Sequence, residues 1–324
     1  MFKAVIVAVA LAVATPAAAD WRHDLSGISV PDSVGDMRKG VERRVVEDGS
    51  DIFVQYGTDA EPVTLYVYRA SHPNPALWFD RTLAAMVTNV GQPAGPAAPR
   101  PFTLGQASAP NGLRTEFAVT GKAWTSTAFA MAQHGEWLVK ARVTSSALDP
   151  AGAAKRLDAL LAAIMFAQPA SAAPYPLTAP AACSGKARYR GKPGGKAEVA
   201  MAASIATVAA HSEAHGGPTG LAAEPKLWCR EDAGELAGAI SVFRRLDDSA
   251  WTALLGDAGM SASAQMLPKL AGVPGAALYA NRTGPAYLIA VYDALPAWRE
   301  AAMAAVPVLT GRAKPLATMD AKSQ

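Results

Sequence analysis

The sequence predicts an α+β fold. An N-terminal antiparallel sheet covered by helices, an α/β/α sandwich, spans residues 20–167, and a second, smaller α+β domain spans 183–309. Three observations predict it. Short β-branched and aromatic runs, broken by Gly- and Asp-containing turns, recur through both halves. Helical stripes follow an Asn-Pro and an Asp-Pro start in the first half. Between the halves, residues 168–182 hold four Pro, many small side chains and no charge. That composition suits an extended, semi-rigid linker. The same stretch also reads as a long ordered loop packed on one globule.

The chain begins with an export pattern. Met1-Phe2-Lys3 is a short cationic segment, and Ala4–Ala14 is apolar but too short to span a bilayer. Thr15-Pro16 breaks it, and Ala17-Ala18-Ala19 supplies the small side chains a signal peptidase accepts. Residues 1–19 therefore read as a signal peptide cut after Ala19, which places the mature chain in a periplasm or outside the cell. A buried N-terminal helix is the alternative. No Cys follows the cut, so this is not a lipoprotein signal.

In the first half, Trp21–Val30 reads as one strand ending at Pro31. Val41–Val46 and Asp51–Tyr56 flank Glu47-Asp48-Gly49-Ser50, a hairpin signal. Val63–Tyr68 has strand propensity throughout. Asn74 and Pro75 start a helix carrying Phe79, Leu83, Met86, Val87 and Val90, stopped by Gly91. Gln92–Pro101 reads as a loop. Leu113–Thr120, Ser126–Gln133 and Trp137–Thr144 are strands. Asp149-Pro150 opens a closing helix with Leu157, Leu160, Leu161 and Ile164 on one stripe.

This order, with a beginning of the form Trp21…Gly27-Ile28-Ser29-Val30-Pro31, resembles the PsbP-like group of α/β/α sandwiches of exported and lumenal proteins. The resemblance covers about residues 20–167. It implies an accessory or binding protein more than an enzyme, and it carries over no functional residue.

In the second half, Lys196–Ala214 reads as a helix stopped by Gly216-Gly217. Pro225–Arg230 and Ala239–Arg244 are short strands. Asp248 or Ser249 caps a helix through Leu255. Ala276–Ala280 and Ala286–Tyr292 form a hairpin, and Pro296 opens a last helix through about Val306. Residues 310–324 lack periodicity and predict a flexible tail. Both halves close with a hairpin and a Pro-started helix, so a diverged duplication and chance recurrence of a common unit both remain open.

Cys183 and Cys229 are the two cysteines. In an exported chain an even pair reads as a structural bridge. A metal pair and a redox pair are the alternatives, and neither has CxxC spacing. Removing Lys3 from the net charge of +3 leaves +2, a balance that argues neither for nor against nucleic acid; no nucleic-acid partner is expected. No other uninterrupted apolar stretch reaches eighteen residues, so no transmembrane segment is expected after the signal.

Local chemistry is sparse. His211 and His215 stand at i and i+4 in HSEAH, a zinc-capable spacing, but Glu213 at i+2 points elsewhere. No metal is therefore expected, and the bland reading is a polar helix end. Lys186, Arg188, Arg190, Lys192 and Lys196 crowd one segment around Tyr189, with no Asp or Glu from Ala159 to Ala197. Strand alternation would put Lys186, Arg188 and Arg190 on one face, ready for lipid phosphates, lipopolysaccharide or an acidic protein. A solvated hairpin is the plain alternative. Gly191–Ala197 departs from the phosphate-binding glycine loop in spacing and lacks its Ser or Thr. No nucleophile motif occurs, and no cofactor is implied. His23 with Asp24, and His72 before Pro73, are loose candidates for a convergent hydrolase site. Glu231-Asp232 and Asp247-Asp248 read as turn and cap carboxylates.

The leading expectation is an exported envelope binding or accessory protein without catalytic activity, meeting an anionic partner through Lys186–Lys196. A periplasmic hydrolase is one alternative, and a carrier of a small apolar ligand between the two domains is another. Oligomeric state is left open.

Overall fold

The computed structural model describes residues 20–72, 74–95, 98–169, 175–185, 187–194, 227–256, 259–267, 275–283 and 286–319. The expected signal peptide, the expected helix at 196–214, His211, His215, Lys186 and Lys196 lie outside the described residues. What is described is mostly antiparallel sheet with three α-helices, an α+β fold.

The described residues open with a hairpin of β1 (Asp20–His23) and β2 (Ile28–Pro31), where the sequence suggested one strand. The turn needs Gly27 at φ +68°, and the His23 carbonyl accepts from the Gly27 N–H at 2.9 Å. The large first sheet collects β3 (Ser33–Val34), β4 (Met37–Arg44), β5 (Asp51–Thr58), β6 (Glu61–Arg69), β7 (Gln92–Pro93), β8 (Arg100–Phe102), β9 (Gly112–Thr120), β10 (Ser126–His134) and β11 (Trp137–Ser145). Its order is β3-β4-β5-β6-β11-β10-β9-β7, with β8 also on β9. The loop expected over 92–101 thus contributes two short strands, both claimed by β9.

Helices α1 (Pro75–Asn89) and α2 (Pro150–Ala163) carry the caps the sequence announced. Asn74 Oδ1 accepts from the Ala76 N–H at 2.9 Å, and Asp149 Oδ1 from the Gly152 N–H at 2.7 Å. Successive side chains of a strand face opposite ways. Ala128, Ala130 and Ala132 of β10 therefore join Leu157 and Leu160 of α2 in one cluster. Phe129 and Met131 join Trp78, Phe79 and Met86 of α1 in another. Strand β12 (Met165–Phe166) then returns to pair with β2.

The second sheet is a meander: β13 (Trp228–Glu231), β14 (Ile240–Arg245), β15 (Ala250–Leu255), β16 (Met260–Met266), β17 (Ala276–Asn281), β18 (Ala286–Tyr292) and β19 (Ala317–Met319). Two expectations fail here. Residues 249–255 are not a helix: β15 is paired on both sides, to β14 and β16. Asp248, at φ +54°, serves the hairpin turn rather than a helix start. The tail after residue 309 is not structureless, because Ala317–Met319 pair with Ala286–Leu288. Helix α3 (Trp298–Leu309) covers one face of this sheet through Ala301, Ala302 and Ala305 against Ala253, Ala264 and Leu278.

The opposite face of the second sheet meets α1. Phe243 of β14 and Leu254 of β15 belong to the same cluster as Trp78, Phe79 and Phe129. That contact explains why Pro75 to Thr82 are all buried, although a one-stripe helix would expose half of them. Arg81, 2% exposed, donates to the carbonyls of Gly256, Ala237 and Gly238 at 2.9, 3.1 and 2.7 Å. Asp80 pairs with Arg230 at 2.8 Å, and the Ser50 hydroxyl donates to Thr283 Oγ1 at 2.8 Å. From the Pro/Ala-rich stretch, Leu177 packs against the α1 cluster.

Candidate functional site

The basic segment lies where two anchors meet. Cys183 and Cys229 form a disulfide with Cα atoms 4.8 Å apart. Residues 181–183 run beside β13: the Cys183 N–H donates to the Arg230 carbonyl at 2.9 Å, and the Arg230 N–H to the Ala181 carbonyl at 2.7 Å. At the far end, the Arg190 and Gly191 N–H groups donate to the Leu295 carbonyl at 3.2 and 3.0 Å. The Lys192 N–H donates to Asp293 Oδ1 at 2.7 Å. A Cβ at Gly191 would overlap the Ala294 carbonyl, so glycine is what lets the segment lie this close.

Between the anchors, residues 187–190 form no regular strand, contrary to the alternation argument. The alternation of side chains survives nonetheless. Tyr189 turns inward onto the α3-side core, while Arg188, Arg190 and Lys192 are exposed. None of the three cations makes an ion pair among the described residues.

Under this rim is a groove of about 360 Å³ lined by Cys183, Gly185, Tyr189, Arg230, Glu231 and Asp232, among others. Its charges are largely spoken for. Glu231 Oε1 accepts from Arg244 Nε at 2.5 Å and from the Tyr189 hydroxyl at 3.4 Å. Arg244, 6% exposed, also pairs with Asp248 and donates to the Gly185 carbonyl at 3.3 Å. Burial, then the Glu231 carboxylate, push the Tyr189 hydroxyl well above its ordinary value, so it stays protonated. Asp232 Oδ1 accepts from the Gly234 N–H at 2.8 Å. Positive charge without a partner therefore stands on the rim, not in the groove.

The loose histidine candidates have local jobs. His23, 5% exposed, donates Nε2–H to the Gly49 carbonyl at 2.9 Å, so Nδ1 accepts from the Ser26 hydroxyl at 2.7 Å. Burial lowers its pKa and keeps the ring neutral. The same Ser26 hydroxyl accepts from the Ile28 N–H, which marks a turn brace. His72 Nδ1 accepts from the Asn74 N–H at 3.2 Å, and its ring meets Trp228 edge-on at 5.3 Å. Asp24 is paired with Arg22 at 3.4 Å, not with His23. No group of three or more metal-ligating side chains occurs among the described residues. No described helix is long and apolar enough to cross a membrane.

Sequence reasoning missed Glu231 and Asp248 as partners of Arg244, and Arg230 as the link from this groove to Asp80 of α1. Adjacent carboxylates and a strand-end Arg carry no spacing signal. Only β13–β14 pairing, with Cys229 opposite Arg244, sets them side by side.

No protein-family model matches this chain, and no curated protein does. Among solved structures, cyanobacterial PsbP (CyanoP) from Synechocystis sp. PCC 6803, determined in solution, is similar over 98% of its own length and 49% of this chain. The identity is 7% and the TM-score 0.33. The disulfide itself fits a chain that matures in an oxidising compartment.

Proposed function

We propose that this chain is an exported cell-envelope protein, its first half a PsbP-like α/β/α sandwich, that holds an anionic partner through the rim of Arg188, Arg190 and Lys192. Lys186 and Lys196 extend the same segment. The observation that carries this reading is the exposure of Arg188 and Arg190 on a backbone pinned at both ends. Exposed cations on a fixed frame lose little freedom when they meet phosphate groups.

Residues 20–324, secreted into a periplasm, are titrated with vesicles containing an anionic phospholipid and with purely zwitterionic vesicles. Binding to the anionic vesicles alone is expected, weakening as salt rises from about 0.05 M to about 0.5 M. Arg188→Glu with Arg190→Glu is expected to lower that affinity at least about tenfold, since each cation near such a surface contributes about 1 kcal/mol. Equal binding by the charge-reversed protein would remove the rim from the mechanism. When the full chain, residues 1–324, is expressed for secretion, N-terminal sequencing of the exported protein is expected to begin at Asp20.

A further inference from the structure

Helix α1 packs mainly on β9 and β10 and, beyond them, on β14, and it reaches β6 at Tyr68, whose ring meets Trp78 edge-on at 6.1 Å. On the neighbouring strands β5 and β6 the same face carries two half-buried aromatic rings, Phe53 and Tyr66. In the register, Arg43 stands opposite Phe53, Phe53 opposite Tyr66, and Tyr66 opposite Lys140. Residues opposed across antiparallel strands share a face, so these four side chains form one row across β4, β5, β6 and β11. The next row is Gln55, Thr64 and Arg142. Ile52 and Val54 point the other way, into the α2-side core.

The ring centroids of Phe53 and Tyr66 are 5.7 Å apart with planes tilted by 44°. Lys140 Nζ lies 4.1 Å from the Tyr66 centroid, a cation–π contact within the row. Phe53 joins none of the apolar clusters of the described residues. Arg43 is exposed and Arg142 half-buried, and neither makes an ion pair among the described residues. Phe53 is thus a ring left outside the apolar clusters, on a face that also carries Arg43 and Arg142, whereas its neighbour Tyr66 packs against the α1 cluster.

We propose that this row is a binding site for an acidic sugar chain. The two rings are too tilted to lie flat on one planar ligand. Successive sugar units, each turned relative to the last, can lay a C–H face on each ring. Arg43 and Arg142 then take carboxylates of the sugars through paired N–H groups. The rings are half-buried rather than protruding, which suits a ligand laid across a sheet. This site is on the first sheet, away from the Arg188–Lys192 rim, and it stands independently of the function proposed above.

The test is calorimetric titration of residues 20–324 with a hexameric galacturonate, against a neutral glucose hexamer. The acidic hexamer is expected to bind and the neutral one to bind at least about tenfold more weakly, as one or two charge-assisted contacts require. Arg43→Gln alone, on an exposed side chain, is expected to weaken binding severalfold. The Arg43→Gln, Arg142→Gln pair should weaken it at least about tenfold, and Phe53→Leu severalfold, for the same reason. Arg188→Glu with Arg190→Glu should leave it unchanged. The inference is overturned if the acidic hexamer fails to bind, if the neutral hexamer binds equally well, or if the paired arginine variant binds like the parent chain.

Discussion

Two neighbours on α1 show how burial changes what a charged residue does. Arg81 reaches three carbonyls of the second sheet's connections, Ala237, Gly238 and Gly256. Arg81→Met keeps much of the volume but leaves those carbonyls without donors, at a cost of about 3–5 kcal/mol. Urea unfolding of the variant measures it, and a loss under about 0.5 kcal/mol would mean that water replaces the guanidinium. Asp80 is 5% exposed. Burial raises its pKa above the ordinary 3.8, and Arg230 and Arg81 offset only part of that. The folded state thus holds the Asp80 proton more tightly than the unfolded state does. The stability this adds is complete below pH 3.8 and is lost as pH rises through the folded value. Relative to Asp80→Asn, the parent chain is expected to lose stability as pH rises from 3.8 toward neutrality. Urea midpoints at several pH values check this, and parallel curves would place the folded pKa at its ordinary value.

Among the elements, helices α1 and α2 were legible because their starts are built from local chemistry. Asn74 and Asp149 satisfy N–H groups within three residues, and Pro75 and Pro150 need none. Asn74→Ala and Asp149→Ala are each expected to cost about 1 kcal/mol in thermal or urea unfolding. Strand β15 was misread for the opposite reason. Ala250–Leu255 has Ala, Leu and a preceding Asp-Ser pair, all helix-compatible. The run is a strand because β14 and β16 supply partners on both edges, and because small Ala side chains let α3 approach the sheet. The cation row of the basic segment was half legible. The in-and-out alternation around Tyr189 held without the strand that was meant to produce it, because Tyr189 finds the α3-side core on its own.

For the whole molecule, the decisive feature is that α1 is shared. Its aromatic cluster includes Phe129 from the first sheet and Phe243 from the second. Unfolding either sheet exposes Trp78 and Phe79, so the two halves are expected to melt in one calorimetric transition rather than two. Two resolved transitions would show that the shared cluster is too weak to couple them. The disulfide links positions 46 residues apart. Cys183→Ser with Cys229→Ser is expected to lower stability by about 4 kcal/mol in the chain-entropy account. The same variant frees one anchor of the basic rim, so vesicle binding should weaken along with stability.

By itself the sequence determined whatever rests on neighbours along the chain: the helix starts, the hairpin turn at Asp48-Gly49, the alternating strands, and a cysteine pair able to bridge. The tertiary structure decided what rests on distant partners. It buried Pro75 to Thr82 of α1 on all sides and made Ala250–Leu255 a strand. It gave Arg81 its carbonyls, and it lined Arg43, Phe53 and Tyr66 in one row. The physical reason is the range of the interactions. Capping and turn geometry are satisfied within a few residues, whereas strand pairing, burial and charge pairing depend on segments up to 233 positions away, as between Ser50 and Thr283.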